Sequence, residues 1–150
     1  MNRDKFIRPA ISVMSFIALS AVNYTIVHNP IVLLFSFILL IHELGHYLMA
    51  KYFHLDAKLP IFIPFILFSL GITQIYNLPD EYKSAIAIAG SLLACLVISV
   101  LILFNTIYKL FSIKLLFLLL TTEIVFNYLG SDGKKYRKFK QGKSPILFSL

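Results

Sequence analysis

The chain has 150 residues, of which 59% are hydrophobic and only 14% charged, and its mean hydropathy is +0.83. Soluble domains carry about 25% charged residues, and a small globule has too much surface for so few charges to cover. A soluble domain and a disordered chain are thereby excluded as readings, which leaves an all-α integral membrane protein, a single domain of about four spanning helices. The formal net charge is +7, and in a membrane protein the first question is where the charges sit. The lone Cys95 forms no internal disulfide and reads as a small packing residue in an apolar run.

In chain order, the apolar runs predict spans over about 6–27, 31–53, 84–107 and 113–130. Each is near the roughly 20 residues that cross the hydrocarbon core. The first ends at His28-Asn29-Pro30 and lacks a small-residue cleavage site followed by a soluble domain, so it reads as an uncleaved span. The stretch 60–75, PIFIPFILFSLGITQI, is rich in β-formers and broken by Pro60, Pro64 and Gly71. It reads as a re-entrant or β-hairpin element between the second and third spans. Such backbone is tolerated at membrane depth only against protein or a water-filled cavity.

With four spans and the N-terminus inside, only Lys109 and Lys114 of the 14 basic residues fall outside. Arg3, Lys5, Arg8, Lys51, Lys58, Lys83 and the basic tail of 131–150 are then cytoplasmic, as the positive-inside rule requires. A spanning 60–75 segment would place that tail outside. The basic excess is therefore an orientation signal, with anionic lipid as a further contact and no nucleic-acid partner.

Three acids lie in or at the end of apolar spans: Glu43, Glu123 and Asp132. Ionisable groups in a bilayer are costly and mark function by default. Glu43 stands in His42-Glu43-Leu44-Gly45-His46, an H-E-x-x-H pattern. One helical turn separates His42 from His46, so both imidazoles can bind one metal ion, and Glu43 can take a proton from the water that the metal acidifies. A catalytic zinc needs a third protein ligand and an open position. The candidates are His28, His54, Glu123 and Asp132. His28 belongs to the outer loop, about 20 Å of helix from His42, and His54 reads as an interfacial residue. Asp132 matches in depth: His46 lies about 22 Å along the second span and Asp132 about 26 Å along the fourth. Gly130 and Gly133 let the backbone turn its carboxylate inward.

Together these residues resemble the site-2 protease family of intramembrane zinc metalloproteases. Over about 31–135, HELGH (42–46), PDEYKSAIAIAGSLLA (79–94) and SDG (131–133) follow the family's order of motifs. The stretch KLPIFIPFIL is similar to the family's membrane-embedded β-hairpin region beside the active site. The chain departs from the pattern where Ser91 follows Gly90 in place of proline, where Asn127 leads into Asp132 without a proline, and where Lys134 follows Gly133. The resemblance implies Zn2+ held by His42, His46 and Asp132, with Glu43 as general base and later proton donor to the leaving amine. It implies a membrane-anchored protein or peptide substrate, cut in or near its membrane segment, and a multi-pass protein of a bacterial cell membrane with both termini cytoplasmic. The length leaves no room for an added PDZ or CBS-like domain. A substrate helix must unwind, and KLPIFIPFIL offers an edge strand to hold it extended.

Asn127 is the expected substrate-positioning residue. Glu123, four residues earlier and on the same face, is the second candidate for substrate positioning and has four open readings: a buried polar pair with Asn127, a carboxyl kept protonated by burial, a holder of a metal ligand, or a substrate contact. The alternative to a protease is a non-enzymatic metal-binding membrane protein, such as an immunity or accessory factor; a metal transporter is a third reading.

Overall fold

The computed structural model describes residues 4–64 and 69–129. Its elements are α1 (Asp4–Val27), α2 (Ile31–Tyr52), β1 (Ala57–Pro64), β2 (Ser69–Ile75), α3 (Asp80–Tyr108) and α4 (Ile113–Leu129). The chain is mostly helical, and among the described residues α1, α2 and α3 are long and apolar enough to cross a membrane. The expected fourth span falls on α4, whose 17 described residues extend about 26 Å. Residue 130 and the basic tail 131–150 lie outside the described residues.

α3 begins at Asp80, four residues before the run that hydropathy marks. Pro79 is extended at the N-cap position (φ −63°, ψ 147°), and Asp80 and Glu81 fill the first turn. Acidic groups there meet the positive end of the helix dipole. Lys109 closes the helix in the left-handed region at φ 50°. Asn105 stitches the turn to α4, since its Nδ2 donates to Phe111 O (2.9 Å) and its Oδ1 accepts from Phe111 N (2.7 Å).

Along α3, Leu92, Leu96, Leu103 and Ile107 form one exposed stripe, while Ile86, Gly90, Ala94 and Ile98 are buried on another. The spacing of about one turn puts each set on one helix face. So continuous an apolar face is unusual on a soluble protein and fits a lipid environment.

A hairpin fills the stretch between α2 and α3, so the helical fold carries a small antiparallel sheet. Its register runs from Ala57↔Ile75 to Pro64↔Ser69 and shifts between Lys58 and Ile61. Pro60 stands in that shift; it has no N–H for the ladder and is tolerated at such an irregularity. The strand pair begins at Ala57, earlier than hydropathy marks it. The outer edge of β1 is engaged by α1: Arg8 Nε donates to Leu59 O (3.2 Å), and Phe62 N donates to Ser15 Oγ (3.1 Å). The Phe16 and Phe62 rings meet edge to face at 5.5 Å. These contacts cover a strand edge that would otherwise stay unpaired.

α2 is the central element. Ile38 packs with Ala94, Ile98, Leu116 and Leu119, joining α2 to α3 and α4. Ala50 packs with Ala57 and Ile86, joining α2 to the hairpin and α3. His42, Glu43 and His46 lie between these two apolar clusters. At this level α2 and α3 nearly touch: a Cβ on Gly45 would stand 2.5 Å from Ala89 O and 2.8 Å from Gly90 Cα. Both are backbone atoms, so the close approach needs glycine, as between membrane helices generally.

Candidate metal centre

His42 and His46 stand one turn apart on α2 and present their Nε2 atoms to each other at 3.2 Å. The opposite ring nitrogens are both anchored. His46 Nδ1 lies 2.7 Å from Ile86 O on α3, and His42 Nδ1 lies 2.6 Å from Glu123 Oε1 on α4. A carbonyl oxygen only accepts, so His46 carries its hydrogen on Nδ1 and turns a lone pair inward from Nε2. An ionised Glu123 carboxylate, which likewise only accepts, arranges His42 the same way. Two Nε2 lone pairs so placed can hold one cation between them, a shared proton or a metal ion. The separation matches the metal: two nitrogens at about 2.0–2.1 Å from a tetrahedral zinc lie about 3.3 Å apart.

Gly90 makes the space. A Cβ there would lie 2.5 Å from His46 Nε2 and 2.9 Å from His42 Cδ2. The rings meet edge to face, with centroids 4.9 Å apart. Close backbone approach at Gly45 and the missing side chain at Gly90 thus form a cradle for the imidazole pair. The two nitrogen donors and the cradle fit two positions of a tetrahedral zinc ion.

Glu43 is buried, at 8% exposure, and its carboxylate turns to β2 instead of the imidazoles' anchors. Thr73 Oγ1 donates to Glu43 Oε2 (2.7 Å) and lies 3.1 Å from Glu43 O. Beneath the carboxylate is Gly71, where a Cβ would come within 2.7 Å of Cδ and 2.8 Å of Oε1. Adjacent positions of α2 thus face different elements: His42 and His46 face α4 and α3, and Glu43 faces the hairpin.

The expected third ligand, Asp132, lies outside the described residues, and so does the side chain of Asn127, which falls on α4. Among the described residues no group of three or more His, Cys, Asp or Glu assembles around one point. His28 and His54 follow α1 and α2 with φ of 53° and 57°. Glu123, one of the two expected substrate-positioning groups, reaches the back of His42. Thr73 escapes the sequence reading altogether: a threonine in a β-rich stretch gives no signal until the strand register sets it against α2.

No family model matches the chain, and neither a curated protein nor a solved structure does. Function therefore has to be read from the residues and their geometry.

Proposed function

We propose that the chain is an intramembrane zinc metalloprotease of the site-2 protease type. It hydrolyses a peptide bond in or near the membrane segment of a membrane-anchored protein or peptide. The observation that carries this reading is the 3.2 Å approach of the His42 and His46 Nε2 atoms with both Nδ1 atoms anchored behind them. His42, His46 and Asp132 are the ligands. When bound, zinc supplies Lewis-acid chemistry, polarising the scissile carbonyl and acidifying water.

Glu43 accepts the proton from the attacking water and passes it to the leaving amine. Thr73 and Gly71 hold its carboxylate in one position, which spares the reaction a reorientation step. The edge of β1 is engaged by α1, so β2 is the strand that receives substrate. The N–H of Phe62 points to α1, so its pair Phe62↔Gly71 is one whose backbone groups face away from each other. The peptide groups of Gly71, and by alternation Thr73, therefore face away from β1 at the edge beside Glu43. An extended substrate pairing there lies next to the base. α4 completes a four-span bundle in a bacterial cell membrane, with both termini cytoplasmic, supported by the placement of the basic residues.

The test is cleavage of membrane-anchored candidate substrates by the wild type and by Glu43→Gln, each loaded with zinc. The variant is expected to bind metal and trap substrate without cutting it. Equal cleavage by both sinks the proposal, and intact cellular function of Glu43→Gln favours the non-enzymatic metal-binding reading instead.

A further inference from the structure

Glu123 has no part in the proton transfers of the proposed reaction, yet it is committed to one of the proposed ligands. Its Oε1 lies 2.6 Å from His42 Nδ1, and the two side chains are only 15% and 17% exposed. A helix sets the Cβ positions of His42 and His46 one turn apart, but the second side-chain torsion of histidine is broad. Spacing on α2 alone therefore does not aim the two Nε2 atoms at one point. Each ring needs a hydrogen bond at Nδ1 to stop its rotation and to select the tautomer. His46 takes this bond from a backbone carbonyl of α3, which no substitution of a side chain removes. His42 takes it from a carboxylate of α4.

We propose that Glu123 is a positioning residue of the metal centre. It fixes the ring and tautomer of His42, and as a charged acceptor it makes His42 the more strongly donating of the two imidazoles. Metal-ligating histidines are commonly held in this way, and loss of the outer partner weakens metal binding by about 10–100-fold. The consequence for the fold is that α4 takes part in building the centre through Glu123, nine residues ahead of Asp132 in the sequence. A bundle that lets α4 slip releases His42 before it disturbs His46. The inference rests on the metal-site reading above.

The experiment is a Co2+ titration of the purified full chain in detergent, followed by the visible d–d absorption, with far-UV circular dichroism as the measure of folded protein. The chains compared are wild type, Glu123→Gln, Glu123→Leu and His42→Ala. Wild type is expected to bind Co2+ with the intense bands of a low-coordinate site. Glu123→Leu should bind about 10–100-fold more weakly with altered bands. Glu123→Gln keeps an oxygen acceptor without the charge and should fall between. A purely space-filling or charge-neutralising role predicts lower thermal stability with the affinity and bands of wild type. If Glu123→Leu fails to fold, the nearly isosteric Glu123→Gln decides, and wild-type affinity and spectrum in that variant overturn the inference. Loss of binding in His42→Ala, with wild-type binding in both Glu123 variants, overturns the role of Glu123 alone. Failure of wild type to bind Co2+, or equal binding by His42→Ala, overturns the metal-site reading and the inference with it.

Discussion

Gly90→Ala should give a folded protein that has lost the proposed metal site. The added Cβ would stand 2.5 Å from His46 Nε2, 2.7 Å from its Cε1 and 2.9 Å from His42 Cδ2. Ordinary contact begins near 3.4 Å, so the rings must give by about 0.9 Å at His46 and about 0.5 Å at His42. They cannot do so in place, because their far nitrogens are held at 2.7 and 2.6 Å. The rings must rotate out, and the two Nε2 atoms no longer meet. A misplacement of about 1 Å in a reacting group costs on the order of 100-fold. The same substitution favours helix by about 0.8–1 kcal/mol, and Gly90 lies within α3 with no positive φ. Metal affinity and activity should therefore both fall by about 100-fold, while the helix gain offsets only part of the two anchoring hydrogen bonds that the rings give up, so the thermal unfolding midpoint drops by several degrees with the chain still folded at the assay temperature. The assay is Co2+ absorption titration paired with a circular dichroism melt of the same sample. Wild-type affinity and bands in Gly90→Ala would refute the reasoning, and so would a loss of binding that only tracks unfolding.

The other substitutions separate the parts of the site. Gly71→Ala pushes on the Glu43 carboxylate and leaves the imidazoles alone; cleavage should fall by about 100-fold with Co2+ affinity unchanged, and a parallel loss of both would contradict the division between hairpin and α3. Thr73→Val removes the 2.7 Å hydrogen bond to Glu43. A bond to a charged group is worth about 1.5–3 kcal/mol, so kcat/KM should drop about tenfold or more with metal binding intact; no change would mean that Thr73 does not orient the base. Asn105→Leu removes both bonds across the α3–α4 turn and should lower stability by about 1–3 kcal/mol, read as a lower melting midpoint in detergent, while a full-strength turn in the variant would show that Asn105 is dispensable.

Much of this arrangement is legible in the amino-acid order because it is local. The long apolar helices follow from hydropathy, and the pairing of His42 with His46 follows from the helical repeat. Pro60, Pro64 and Gly71 already mark a non-helical element, and the hairpin appears there. Distant relations are not local and do not show. Nothing adjacent to Glu123 announces that it meets His42, since 81 residues separate them. Gly90 stands in a family-like Ala-Gly motif, but nothing in the order of residues says that it faces the imidazoles until α2 is laid against α3. Charge near a span also misleads: Asp80, Glu81 and Lys83 look like a boundary by hydropathy, yet the acids start the helix. Lys83 then pairs with Asp80 one turn away.

The buried polar layer itself can be put to the test as a choice between stability and function. His42, His46 and Glu43 sit between two apolar clusters, and each is answered by a different element: α4 through Glu123, α3 through Ile86 and β2 through Thr73. Such a layer ties four elements together, so a purely architectural role is a real competitor. The energetics distinguish the two. Breaking a fully buried ionisable pair by removing one partner costs about 3–5 kcal/mol, whereas replacing both partners with apolar groups of similar volume is often neutral or stabilising by about 1–4 kcal/mol; the His42–Glu123 pair, part-buried at 17% and 15% exposure, follows the same signs with smaller magnitudes. The double variant His42→Phe, Glu123→Leu replaces the pair whole. If the pair is kept for chemistry, the double variant should melt at or above the wild-type temperature and bind no Co2+, with each single variant less stable than the double. A double variant that is several kcal/mol less stable than wild type would mean that the pair is kept for the architecture of α2 and α4, and the functional reading of this layer would lose its physical basis.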